Sequence, residues 1–160
     1  MSSRIGMLIQ AYADGPRRLE EAVAGISEEE LRFTPGPGHW TIHENVVHVA
    51  DCDLVAAARM RYVIAQPGAV LVSFDQEKWS RALDYRDQPL VEALALLRAV
   101  RASTAAMLRR APAEAWEQVG VNTEAGPQTL EWLVERFTDH VPYHLRTIAK
   151  RRAQYAETRR

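Results

Sequence analysis

One cysteine, two lysines and no long apolar run narrow what this chain of 160 residues can be. With Cys52 alone, no intrachain disulfide framework can form, which points to an intracellular home. Cys52 lies in an apolar helical run and reads as a small buried hydrophobe. Lys78 and Lys150 are the only candidates for Schiff-base chemistry, and neither has a setting that would desolvate it. No stretch approaches the ~20 apolar residues of a membrane span. Ile5-Gly-Met-Leu-Ile9 is apolar but is stopped by Gln10 and carries no cleavage pattern, so a cytoplasmic protein is expected. Excess charge of either sign is missing too: 20 basic against 21 acidic residues, net -1, argues against a nucleic-acid or anionic-membrane partner. Phosphate-cradling glycine motifs and a nucleophile-elbow glycine pattern are absent, and Cys52 has no evident base in the sequence. These absences remove nucleotide-loop, Ser-His-Asp and Cys-His catalysis from the field.

What remains is an ordinary composition, 47% hydrophobic and 26% charged, arranged in helical periods. Ile5, Leu8, Ile9, Tyr12, Leu19 and Val23 predict a first helix over 3–24, interrupted by a kink at Asp14-Gly15-Pro16. Ser27-Glu-Glu-Glu30 is a capping box that opens a short helix before Pro35. Thr41-Ile-His-Glu44 repeats the box and launches a long helix to 66. Residues 69–88 are irregular in pattern, with Trp79 and Tyr85 as anchors. So long a connection crosses over the structure or covers a site, and both are expected here. Pro89 starts a third long helix ending at 111, a single turn follows at 112–116, and 119–123 is β-branched and extended. The fourth helix spans 129–155, with Leu130, Leu133, Phe137, His140, His144 and Ile148 on one stripe. Without repeats, linkers or a convincing strand series, the expectation is one all-α domain over 1–160. Its fold is a four-helix bundle with a long crossover between the second and third long helices, which lets those two run parallel.

Histidines carry the chemistry. His140 and His144 are four residues apart and share a helix face, where the pattern would otherwise continue with apolar side chains. Imidazoles on a buried stripe need partners. With His48, from the facing long helix, they offer three nitrogens and an open position, the arrangement of a catalytic metal; the alternative is three core histidines bonded to backbone. Asp51 is a candidate to orient His48, a ligand or base, or a solvated acid. Glu44 is explained by the capping box, His43 reads as a surface residue, His39 as exposed loop near a site mouth, and Tyr143 as lying off the stripe. The pair in His140-Val-Pro-Tyr-His144 has zincin spacing but lacks Glu after the first His, so peptidase chemistry has no general base.

Trp40-Thr-Ile-His-Glu-Asn-Val-Val-His48-Val-Ala-Asp51 resembles the motif that opens the second helix of the DinB/YfiT-like superfamily. Asp139-His-Val-Pro-Tyr-His144 is similar to the paired-His motif of that family's last helix. Ala11-Tyr-Ala-Asp-Gly-Pro16 and Leu31-Arg-Phe-Thr-Pro35 fit its lead-in, so the likeness spans nearly the whole chain. The resemblance implies an up-down-down-up four-helix bundle with a divalent metal ion, zinc or nickel, held by His48, His140 and His144. It also implies dimers, and enzymes that transfer low-molecular-weight thiols such as bacillithiol or mycothiol. The leading expectation is therefore a metal-dependent thiol transferase. A metal-dependent hydrolase of a small substrate comes next, and a non-catalytic stress-related bundle third. Imidazole accepts several metals and does not choose among them. For the homodimer, Val91, Leu94, Leu97 and Val100 offer a broad apolar arc on the third long helix.

Overall fold

The computed structural model describes residues 3–160. Four long helices make the body: α1 (Ser3–Val23), α3 (Ile42–Ala65), α5 (Leu90–Leu108) and α6 (Leu130–Glu157). α2 (Glu28–Leu31) and α4 (Gln76–Ala82) are short, and Ala113–Glu117 is a 3-10 turn. No helix among the described residues is long and apolar enough to cross a membrane. Of the two expected capping boxes, Thr41–Glu44 forms in full and Ser27 forms its N-cap bond. Ser27 accepts from the Glu30 N–H, while Thr41 accepts from the Glu44 N–H at 3.0 Å and its own N–H donates to Glu44 Oε2 at 2.9 Å.

α3 and α5 pack on each other, as do α1 and α6; α3 also meets α6, and α1 meets α5. Arg4 at the start of α1 pairs with Glu131 and Glu135 at the start of α6. His43 at the start of α3 reaches Gln88 beside the start of α5. Glu20 of α1 pairs with Arg98 of α5, and Asn45 of α3 with His144 of α6.

The crossover is built more regularly than its sequence pattern suggests. α4 is capped by Asp75, whose carboxylate accepts from the Glu77 and Lys78 N–H groups at 3.0 Å. Trp79 packs on Phe74 at 4.4 Å, and Tyr85 is fully buried, so both act as the anchors expected of them. Purely helical is not the whole description either. β1 (Val70–Leu71) pairs parallel with β2 (Val119–Asn122), which pairs antiparallel with β3 (Gly126–Thr129). Strands of two to four residues are too short to establish a two-residue period, so only the extended character of β2 is legible beforehand.

A polar layer divides the core. Ile9, Tyr12, Ala56, Met60, Leu108 and Leu133 belong to one apolar cluster; Leu19, Ile42, Val46, Leu97, Val141 and Ile148 to another. Between them lies Arg101 of α5, fully buried, which binds all three other long helices. Its Nε and Nη2 donate to Asp53 of α3 at 2.8 and 3.0 Å, Nη2 also donates to the Phe137 carbonyl of α6 at 2.7 Å, and Nη1 donates to the Tyr12 carbonyl of α1 at 2.9 Å.

The Tyr12 contact explains the Gly15-Pro16 pair. Pro16 has no N–H, so the Tyr12 carbonyl four residues back has lost its helical donor, and Arg101 replaces it. Gly15 makes room, since a Cβ there would stand 2.2 Å from Arg101 Nη1. α1 therefore continues through the expected interruption at 14–16 as one helix. The proposed apolar arc on α5 also needs correction: Leu97 is core at 0% exposure, because it packs between α3 and α1, while Val91 is 75% exposed.

Candidate metal centre

α3 and α6 bring the three expected histidines together. Ring centroids lie 5.4 Å apart for His48–His140, 5.0 Å for His48–His144 and 4.6 Å for His140–His144. His140 Nε2 and His144 Nε2 face each other at 3.1 Å. Asn45, buried one turn before His48, fixes the orientation of His144. Its Nδ2 donates to the Thr41 carbonyl at 2.7 Å, which turns Oδ1 towards His144 Nδ1 at 2.8 Å. His144 Nδ1–H therefore donates, leaving the Nε2 lone pair aimed inward. The helix cap at Thr41 is thus connected, through Asn45, to a ring on the opposite helix.

His140 Nδ1 is buried without a partner. If both Nε2 atoms present lone pairs, the neutral rings repel at 3.1 Å; if His140 Nε2 donates, its Nδ1 lone pair is buried unpaired. A cation between the Nε2 atoms removes the repulsion and leaves Nδ1–H as the single deficit. The donor set fits a divalent transition metal, for which neutral imidazole is a suitable ligand.

Burial holds the rings neutral. The His48 pKa is lowered to about 3 by burial and then by neighbouring His144, His140 to about 2 by burial and then by His144, His48 and two arginines, and His144 to about 4 by burial. Unfolded, each titrates near ~6.5. Below that value the unfolded chain binds more protons than the folded one, so stability falls with pH from about 6.5 down through the folded pKa values. Chelator-treated protein should accordingly show a urea midpoint that declines between about pH 7 and pH 5. A midpoint that stays level or rises on acidification in that window would contradict neutral burial.

Cys52, expected only as a small buried hydrophobe, also enters this site. Its Sγ lies 3.4 Å from His48 Nε2 and 3.6 Å from Nδ1. His48, Cys52 and His140 bring one ligand atom each within 4.8 Å of one another, while His144 meets the same two histidines through ring contacts and the 3.1 Å approach to His140, so Cys52 and His144 compete as the third donor. We favour His144, whose ring Asn45 orients through a hydrogen bond at 2.8 Å. Without an ion beside it, burial, then Asp53 and Asp51, push the Cys52 thiol above its ordinary pKa, so nearby His48 alone does not make it a thiolate. The signal was the four-residue spacing of His48 and Cys52.

Other expected residues fall as follows. Asp51 shows no bond to His48, and its Oδ2 is buried without a partner. His43 is a correction: it is buried, and its Nε2–H donates to the Gln88 carbonyl at 2.8 Å, because the crossover covers the side of α3 that periodicity assigns to solvent. His39 is exposed, as expected, and lines the cavity mouth. Tyr143 is 56% exposed, with its ring 5.1 Å from that of His144.

Two cavities meet at the histidines. The first, about 330 Å³, includes Trp40, Asn45, Glu77, Tyr143 and all three rings. The second, about 290 Å³, lies towards the small sheet and includes His48, Cys52, His140, Arg59, Phe74 and Trp132. Gln76 and Arg136 border both. Trp40 covers His48 at 4.6 Å between rings. Gln76 and Glu77 come from α4, which borders the first cavity.

This fold recurs in other proteins. A solved structure of YfiT from Bacillus subtilis, reported as a probable metal-dependent hydrolase with an unusual four-helix bundle topology, superposes with a TM-score of 0.90 at 21% identity, covering 98% of this chain and 90% of that one. A protein of Oceanobacillus iheyensis named "Putative metal-dependent hydrolase" is 25% identical over 137 residues, 86% of this chain and 79% of its own length. One of the same name from Geobacillus kaustophilus is 28% identical over 145 residues, 90% and 82% respectively. The family model described as DinB superfamily matches residues 11–148, a span that includes all three histidines, and the chain belongs to that superfamily.

Proposed function

We propose that His48, His140 and His144 hold one divalent metal ion, zinc or nickel, and that the chain is a metal-dependent hydrolase of a small substrate. The observation that carries this reading is the facing pair of Nε2 atoms, 3.1 Å apart, with His144 turned inward by Asn45. Relatives named as metal-dependent hydrolases support the same choice. Bound there, the ion would supply a Lewis acid and ionise water near neutral pH. The chain supplies the rest. Asn45 and Thr41 keep the His144 tautomer, Trp40 shields His48 from water, and Glu77, the one carboxylate bordering the first cavity, is available to take a proton.

Titrating chelator-treated protein with zinc or nickel tests this, with a single ion bound per chain expected; a chain that takes up neither overturns the reading. Asn45→Leu should weaken that affinity by roughly 10–100-fold, the usual effect of losing the group that orients a ligating imidazole. Unchanged affinity would mean that Asn45 does not set the ring.

Thiol transfer is the second reading. Its support is the meeting of two cavities at His48 and His140, room for a thiol on one side and an electrophile on the other. We further read residues 1–160 as one cytoplasmic domain with its long helices in up-down-down-up order. That order is supported by the Arg4–Glu131, His43–Gln88, Glu20–Arg98 and Asn45–His144 contacts. The homodimer rests on Val91 and the partly buried Leu94 and Val100 of α5. Light scattering that reads an 18.1 kDa species at micromolar concentration rejects it.

A further inference from the structure

We propose that the second cavity is the subsite for a small organic anion, a carboxylate on an aromatic or aliphatic body, held by Arg59 and Arg136. The inference deepens the function proposed above and rests on the histidines being the reactive centre. Two stripes converge there. His48, Cys52 and Arg59 lie on one face of α3 at i, i+4 and i+11, and Trp132, Arg136 and His140 follow one another by four residues on α6. All six border the same space.

Among the described residues neither arginine is held in an ion pair, and Glu124 is the acid whose charge reaches Arg59. Arg59 is half-buried, its Nη2 donates to the Val72 carbonyl, and its Nε is buried with no partner. A guanidinium kept partly from water without an anionic partner is a costly arrangement, and a carboxylate reaching its cavity-facing edge relieves it through short charge-assisted bonds. Gln128, only 8% exposed, also borders the cavity, and its Oε1 lacks a partner. Amide oxygen and nitrogen exchange by a flip, so this side chain has hydrogen bonds to give in the same place. Phe74, Trp132 and Phe137 supply apolar wall for the body of the ligand. Glu124 is the carboxylate at the rim and opposes anions. Two guanidinium groups against one carboxylate leave the cavity positive, and an ion held by His48 and His140 would add to that, so the cavity favours an anion.

Calorimetric titration of metal-loaded protein with benzoate and with benzamide, its neutral isostere, is the test. Benzoate should bind at least about tenfold tighter, and Arg59→Gln and Arg136→Gln should each bring the two ligands towards parity with metal content unchanged. Equal binding to the unsubstituted protein overturns the proposal. So does a benzoate preference that survives both substitutions, because the carboxylate would then sit on the ion or elsewhere. Arg136 is exposed, so Arg136→Gln carries the test if Arg59→Gln fails to fold. Metal content separates the two claims. An arginine-dependent preference in a chain whose histidines bind no ion supports the subsite and overturns the metal reading; ion binding without the preference does the reverse.

Discussion

Asp53→Ala should destabilise the protein by about 3–5 kcal/mol, the cost of leaving one member of a buried ion pair uncompensated. Asp53 and Arg101 are both at 0% exposure, so water cannot replace the missing partner. The loss is large against the ~5–15 kcal/mol that holds a typical domain together. The effect should also reach the site. Arg101 ties α3 at Asp53 and α6 at Phe137, five residues after His48 and three before His140, so it sets the register in which those rings meet. Asp53→Ala/Arg101→Met should recover much of the loss, since an apolar pair of similar volume avoids the buried charge. It would still leave the Tyr12 carbonyl without its replacement donor, and recovery should therefore be incomplete. Urea unfolding of the single and double variants measures both effects. A single-variant loss below about 1 kcal/mol would remove the clamp from this account.

Much of this arrangement was legible in the chain, and what was not has physical reasons. Long helices announce themselves through repeated apolar residues, and the Thr41 box marks the start of α3 to the residue. The histidines stood out because imidazoles interrupted an apolar stripe. Arg101 interrupts one too, four residues after Leu97 and four before Ala105, yet an arginine there reads as the edge of a face. Only its distant partners Asp53, Tyr12 and Phe137 reveal it as core, and no local pattern links them. Asn45 was hidden similarly: its partner His144 lies 99 residues away. His43 was misplaced because periodicity assumes that one side of a helix faces water, and the crossover covers that side of α3.

Loss of metal on His48→Ala, His140→Ala or His144→Ala is the second large effect. Each removes one of three proposed ligands, so affinity should fall by more than the roughly 10–100-fold expected for an outer residue such as Asn45. The bundle should remain folded, because the helices are held mainly by their apolar faces. His140 and His144 act together, as their 3.1 Å approach shows, so their double replacement should cost less than the product of the single losses. Acidification to about pH 5 should leave affinity little changed while the chain stays folded, because burial already holds the rings neutral, and protons should compete for them only towards about pH 4 and below.

Mass spectrometry of metal bound per chain, after loading and desalting, puts the central claim to its most direct test. The three variants to compare are the unsubstituted protein, His144→Ala and Cys52→Ala. A three-histidine site predicts a single ion retained by the unsubstituted protein and by Cys52→Ala, and almost none by His144→Ala. An ion kept by His144→Ala but lost from Cys52→Ala would contradict the account, as would an unsubstituted protein that holds no metal.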